Sequence, residues 1–135
     1  MAPASPVTLE QLASALIAVF EGERLKAYQD SGGVWTIGIG HTGPDVVEGM
    51  VASPEQVAAW FKEDQAVLIW MVRGMTPAKG AAFVSFGFNC GRSALAKVLN
   101  GFDTISNPVH TTDRHGNVLS GLVARRRLES LLIQL

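Results

Sequence analysis

The chain has 135 residues, 47% of them hydrophobic and 17% charged, with a formal net charge of -1 and one cysteine. That length suits one domain with a real core, and the apolar content excludes a disordered chain. The charge balance lacks the basic excess of a nucleic-acid binder, and a lone Cys90 excludes an internal disulfide.

Met1 to Val7 carries two prolines and small residues and reads as a loose tail. It has neither the positive residues nor the long apolar core of a signal peptide. The apolar run Leu16 to Phe20 is short against the roughly 20 residues a membrane span needs, so stable membrane insertion is not expected. Thr8-Leu9-Glu10-Gln11 matches a capping box. Leu9, Leu12, Leu16 and Phe20 then recur at helical spacing, and Gly22 is placed to end that helix. Glu21 is left at its rim.

Arg24 to Tyr28 predicts a strand, Asp30-Ser31-Gly32-Gly33 a turn, and the β-branched stretch Val34 to Ile39 a second strand. Gly40 to Val51 reads as a third short strand or loop. The glycines around Ile39 lack the rest of a phosphate-binding motif. Ser53-Pro54-Glu55-Gln56 starts a long, well-buried helix to about Arg73. Thr76-Pro77 starts another, running to Cys90-Gly91 and apolar almost all round, as for the centre of a core. Cys90 itself reads as a small buried apolar residue. Ser93 to Leu99 predicts a short helix. Phe102 to Ser120 reads as a long loop with a small hairpin near His115-Gly116-Asn117, and Gly121 to Leu135 as the last helix. The terminal Leu131-Leu132-Ile133 should tuck into the helical part. The order is a helix, a small sheet, then several helices. It predicts an α+β fold with a small antiparallel sheet lobe, a larger helical lobe and a cleft between them, all in one domain.

The chemistry concentrates between Glu21 and His41. A carboxyl at a helix end and another in a hairpin turn are a plausible pair for cleaving a glycosidic bond: one donates a proton, the other stays ionised. Glu21, behind Val19 and Phe20, suits the donor. Asp30, in an open glycine turn, suits the ionised role, and the Thr36 hydroxyl can help hold water. Taken singly, Glu21 reads more readily as a surface acid and Asp30 as an ordinary turn residue.

The combination is more specific. EGERLKAYQD at Glu21–Asp30 followed by WTIGIGHTG at Trp35–Gly43 resembles the phage-type lysozymes, the endolysins of glycoside hydrolase family 24. FVSFGFNCG at Phe83–Gly91, SALAKVLNG at Ser93–Gly101 and GLVARRRLE at Gly121–Glu129 resemble further motifs of that family, in order along most of the chain. The resemblance implies a lysozyme-like fold and hydrolysis of the β-1,4 link between N-acetylmuramic acid and N-acetylglucosamine in peptidoglycan. It implies Glu21 as the general acid, with Asp30 and Thr36 positioning water, and no metal or organic cofactor. Phe88 and Ser93 match substrate contacts, and His41 and Asp64 a structural ion pair. Arg125 or Arg126 would pair with an acid near Glu21. A protein of this kind is made in the host cytoplasm and acts, as a monomer, on the wall after release to the periplasm.

Two rival functions share the fold: a non-catalytic glycan-binding or phage structural module, and a lytic transglycosylase. The family usually carries another helix after the segment matched by Asn100-Gly101. Here Phe102 to Asn117 is shorter and polar, so this side of the cleft should be smaller or more open.

Overall fold

The computed structural model describes residues 5–135. Of the predicted tail, residues 1–4 lie outside the described residues, and Ser5 to Val7 are exposed and in no helix or strand. Helix α1, Leu9–Glu21, has the full capping box. The Thr8 hydroxyl accepts from the Gln11 amide, and the Gln11 side chain accepts from the Thr8 amide. Gly22 ends the helix at φ +67°, a conformation that costs a residue with a Cβ.

Three strands follow: β1 (Arg24–Gln29), β2 (Trp35–Gly38) and β3 (His41–Thr42), antiparallel in the order β1-β2-β3. β2 is shorter than predicted, because Val34 belongs to the turn and hydrogen-bonds back to Asp30. The register pairs Tyr28 with Thr36, and Thr36 with Thr42. Directly paired residues share a face, so these three form one row. Ile37, paired with His41, points the other way. It packs with Ala27, Val46, Ala52 and Val57 in a small core under the sheet.

Helix α2, Pro54–Met71, starts on Ser53, whose hydroxyl accepts from the Gln56 amide. It is not well buried, contrary to the sequence expectation. Only Val57, Gln65 and Leu68 are fully covered, and Trp70 is 61% exposed with Arg73 stacked over it. Its partners lie on one side only. Helix α3, Pro77–Cys90, is the central helix, with every residue from Gly80 to Gly87 buried. It packs against α1, α2, α4 (Arg92–Leu99) and α5 (Ser120–Ile133). Ile17, Leu68, Val84, Phe86, Leu95 and Ile105 meet around it.

The segment between α4 and α5 is ordered. A 3-10 turn at Pro108–Thr111 is followed by a tight hairpin bridged at Thr112 and Val118, near the predicted position. The Asp113 carboxylate accepts from the His115 and Asn117 amides and closes that hairpin. His110 anchors the segment: its ring stands edge-on to Phe86 and bonds Asp103 at 2.8 Å. Leu131 does not tuck in as expected. It is 62% exposed, whereas Ile133 reaches the core, because the two fall on different faces of α5.

Candidate active site

Glu21 sits on the last turn of α1, so its backbone is fixed by the helix and its side chain by the helix behind it. Arg125 Nη1 donates to Glu21 Oε1 at 2.7 Å. Arg125 is 3% exposed and is itself held on α3: Nε donates to the Ser85 hydroxyl and Nη2 to the Ser85 carbonyl, both at 3.1 Å. Ser85 passes the chain on, donating to Glu129 Oε2 at 2.6 Å. Glu129 is fully buried, and that burial pushes its carboxyl up against the pull of Arg126, Ser85 and Arg125. Arg126 Nη2 donates to Glu129 Oε2 at 3.0 Å. Its Nε lies 2.6 Å from Oε1 as a Coulombic contact without hydrogen-bond geometry.

The wall beside Glu21 is therefore not apolar, as the sequence reading had it, but contains a guanidinium. What this provides is orientation. With Oε1 committed to Arg125, Oε2 is the oxygen left for chemistry. It lies on the Gly40 side, where a Cβ would stand 3.1 Å from Oε2 and 2.9 Å from Phe88 Cε1. Gly40 has φ +64°, so both its conformation and its crowding favour glycine.

Asp30 is positioned by its own turn. The Gly32 and Val34 amides donate to Oδ1 at 2.8 and 2.9 Å, leaving Oδ2 free of them. Thr36 is 4% exposed and donates its hydroxyl to the Val34 carbonyl at 3.0 Å. A hydroxyl whose proton is committed in this way has only lone pairs left to offer a further partner.

Glu21, Asp30, Thr36 and Phe88 line one groove of about 310 Å³. Tyr28, Thr42 and Asn89 line it as well and were not singled out from the sequence. Strand alternation could have found Tyr28, two residues before Asp30, and the register explains why Thr42 joins it. Burial pushes the Tyr28 hydroxyl up, and the Glu21 and Asp30 charges add to that, so it is kept as a donor. Phe88 also meets Phe61 edge-on, so it serves both groove and core.

The other predicted residues sit apart. His41 Nδ1 lies 2.7 Å from Asp64 Oδ2, and the ring stacks on Trp60 at 4.5 Å, which joins the sheet to α2. Ser93 is exposed on α4 and is not in the lining of this groove. Cys90 is half-buried and not an inert apolar filler: Arg126 Nη1 donates to Sγ at 2.8 Å. Burial pushes its thiol up, with Arg126 opposing. Among the described residues no cluster of three or more His, Cys, Asp or Glu side chains could hold a metal ion.

Residues 18–129 match the sequence model of the phage lysozyme family. The chain belongs to that family. The matched span runs from the end of α1 through the buried arginines of α5. An endolysin of Acyrthosiphon pisum secondary endosymbiont phage 1 is 32% identical over 88% of this chain and 92% of its own length. The endolysin of Salmonella phage P22 is 41% identical, over 56% of this chain and 58% of its own length. Among solved structures, the muramidase domain of SpmX from Asticaccaulis excentricus superposes with a TM-score of 0.72 at 28% identity, covering 96% and 99% of the two chains. The active form of P1 phage endolysin Lyz does so with a TM-score of 0.71 at 25% identity, covering 91% and 83%. The α+β lysozyme fold expected from the sequence is thus the fold of this family. Among the described residues no helix is long and apolar enough to cross a membrane.

Proposed function

We propose that this protein is a muramidase that hydrolyses the β-1,4 link from N-acetylmuramic acid to N-acetylglucosamine in bacterial peptidoglycan. Glu21 Oε2 donates the proton to the leaving oxygen while Arg125 holds Oε1. Asp30 Oδ2 and the Thr36 lone pairs take the attacking water, and the Asp30 charge steadies the positive sugar ring as the bond opens. Tyr28 and Asn89 offer hydrogen bonds to the sugars, and Phe88 offers an apolar face. Ser93 is a substrate contact only for a chain that extends beyond the groove. His41 and Asp64 hold the sheet on α2 and take no part in the reaction.

The observation that supports this most is the separate anchoring of the two acids on one groove, each with one carboxylate oxygen tied and the other not. A non-catalytic wall-binding module has no use for that arrangement. The name endolysin among the relatives supports a role in phage-induced lysis of the host. We place the reaction in one catalytic domain acting as a monomer, made in the host cytoplasm and released to the periplasm, without a cofactor or nucleic-acid partner.

Clearing of permeabilised bacteria, followed by turbidity, tests the reading. Glu21→Gln should slow clearing by about 10²- to 10⁴-fold, the usual contribution of a general acid. Equal clearing by both proteins would end the enzymatic proposal. Mass spectrometry of the products decides the bond chemistry: reducing muramic-acid ends support hydrolysis, and anhydro ends would make the protein a transglycosylase.

A further inference from the structure

The groove that holds Glu21 and Asp30 does not close at Thr42. A second groove of about 230 Å³ shares Gly40, Thr42 and Phe88 with it and continues past Asp64 and Val67 to Arg92. The two adjoin along those three residues, with the two reacting acids in the first and Arg92 in the second. Among the described residues, Arg92 is the one cationic side chain in either lining.

Four other arginines of the molecule are engaged elsewhere, and Arg127 lies away from this groove. Arg125 and Arg126 are committed to Glu21, Ser85, Cys90 and Glu129, while Arg24 and Arg73 lie over Tyr28 and Trp70. Arg92 is exposed and takes part in none of the ion pairs among the described residues. Asp64, the acid of this second groove, is held by His41 at 2.7 Å. Arg92 is also the first residue of α4, and the Gly91 cap supplies no side chain to the free amides there. Those amides add partial positive charge beside the same groove.

This polarity fits the charge distribution of the proposed substrate. The sugar backbone of peptidoglycan is neutral. Its anionic groups are carboxylates on the peptide that branches from each muramic acid. A chain seated at Glu21 and Asp30 must keep those carboxylates away from two acids, and Arg92 is where the adjoining groove can receive one. We propose that Arg92 is a specificity-determining residue that pairs with a free carboxylate of the peptide branch, so that unamidated wall is the preferred substrate. Guanidinium and carboxylate match in a two-point hydrogen-bonded geometry that a lysine does not reproduce.

The inference rests on the muramidase reading, and its test separates the two. Soluble glycan chains carrying peptides with free carboxylates are compared with the same chains amidated by carbodiimide and ammonia. For Arg92→Gln, KM on the free-carboxylate chains should rise about threefold to fivefold with kcat unchanged, the scale of one exposed charge pair. The gap between the two proteins should close on amidated chains, and salt at 0.5 M should narrow it. Arg92→Glu should widen it on free-carboxylate chains alone. Calorimetric binding of both chain types to Glu21→Gln, with and without Arg92→Gln, reads the same preference without cleavage. Failure of the wild type to cleave either chain would refute the muramidase reading, while the binding gap still decides Arg92. An Arg92→Gln effect that is equal on free and amidated chains, or absent on both, would overturn the proposal.

Discussion

The two reacting acids are held in opposite ways. Asp30 is fixed by amides two and four residues ahead of it, on an exposed turn. Glu21 is fixed by Arg125, 104 residues away and almost wholly buried, which in turn leans on Ser85 and Glu129. One site is set by local backbone and is cheap to keep. The other is set by a buried polar network, in which every member depends on the rest. The difference predicts where the molecule tolerates change: the hairpin acid can be altered without unfolding the chain, and the support behind the helix-tip acid cannot.

The largest effect should come from Arg125→Met. It leaves Glu129 buried with fewer partners and Glu21 without its anchor. Loss of one partner from a buried ionic group costs about 3 to 5 kcal/mol. Chemical denaturation measures this, and a loss below about 1 kcal/mol would mean that the network does not carry the contrast. Asp30→Asn keeps the side-chain oxygen that the turn amides need, so stability should stay within about 0.5 kcal/mol. The proposed cleavage should nevertheless slow by about a hundredfold, on the order of 2.7 kcal/mol in barrier. A variant that unfolds instead would erase the distinction between the two acids.

Gly40→Ala should lie between the two regions, since Gly40 is on the hairpin but a Cβ there would meet Glu21 and Phe88. Its left-handed backbone alone costs an alanine about 1 to 2 kcal/mol. Because Oε2 is crowded as well, activity should fall further than the loss of stability explains. A variant as active as the wild type would show that Oε2 has room to move.

The smallest effect concerns the segment between α4 and α5. Hydrogen bonds from Asn107, His110 and the Thr104 amide pull the Asp103 carboxyl down from 3.8 to about 2. The folded-state value lies below the unfolded one, so this stabilisation is present above about pH 4 and is lost as the pH falls towards 2. The Tm difference between wild type and Asp103→Asn should therefore shrink over that range. A difference that stays constant down to pH 2 would place its cause elsewhere, and cleavage at neutral pH should change little in either case.

Much of this was legible in the sequence, for a physical reason that differs between elements. The Thr8 and Ser53 caps, the end of α1 at Gly22 and the turn at Asp30 depend on residues within four positions of one another. Local stereochemistry therefore places them correctly. The apolar run of α3 announced a central helix, and the motif matches announced the family. The burial of α2 was overread, because an apolar residue such as Trp70 is compatible with either side of a helix until its neighbours are known. Leu131 was misjudged on the same ground. The sequence also left open whether Arg125 or Arg126 reaches Glu21.

By itself, then, the sequence determined most of the elements, their caps and turns, and the pair of acids on either side of β1, since each is written in short-range spacing. Tertiary structure alone decided which arginine holds Glu21 and which oxygen it leaves free. It also decided that Ser85 and Glu129 stand behind that contact, and that a second groove with Arg92 adjoins the first. Those outcomes depend on how α1, α3, α4 and α5 pack, and packing brings together residues whose separation along the chain carries no periodic signal.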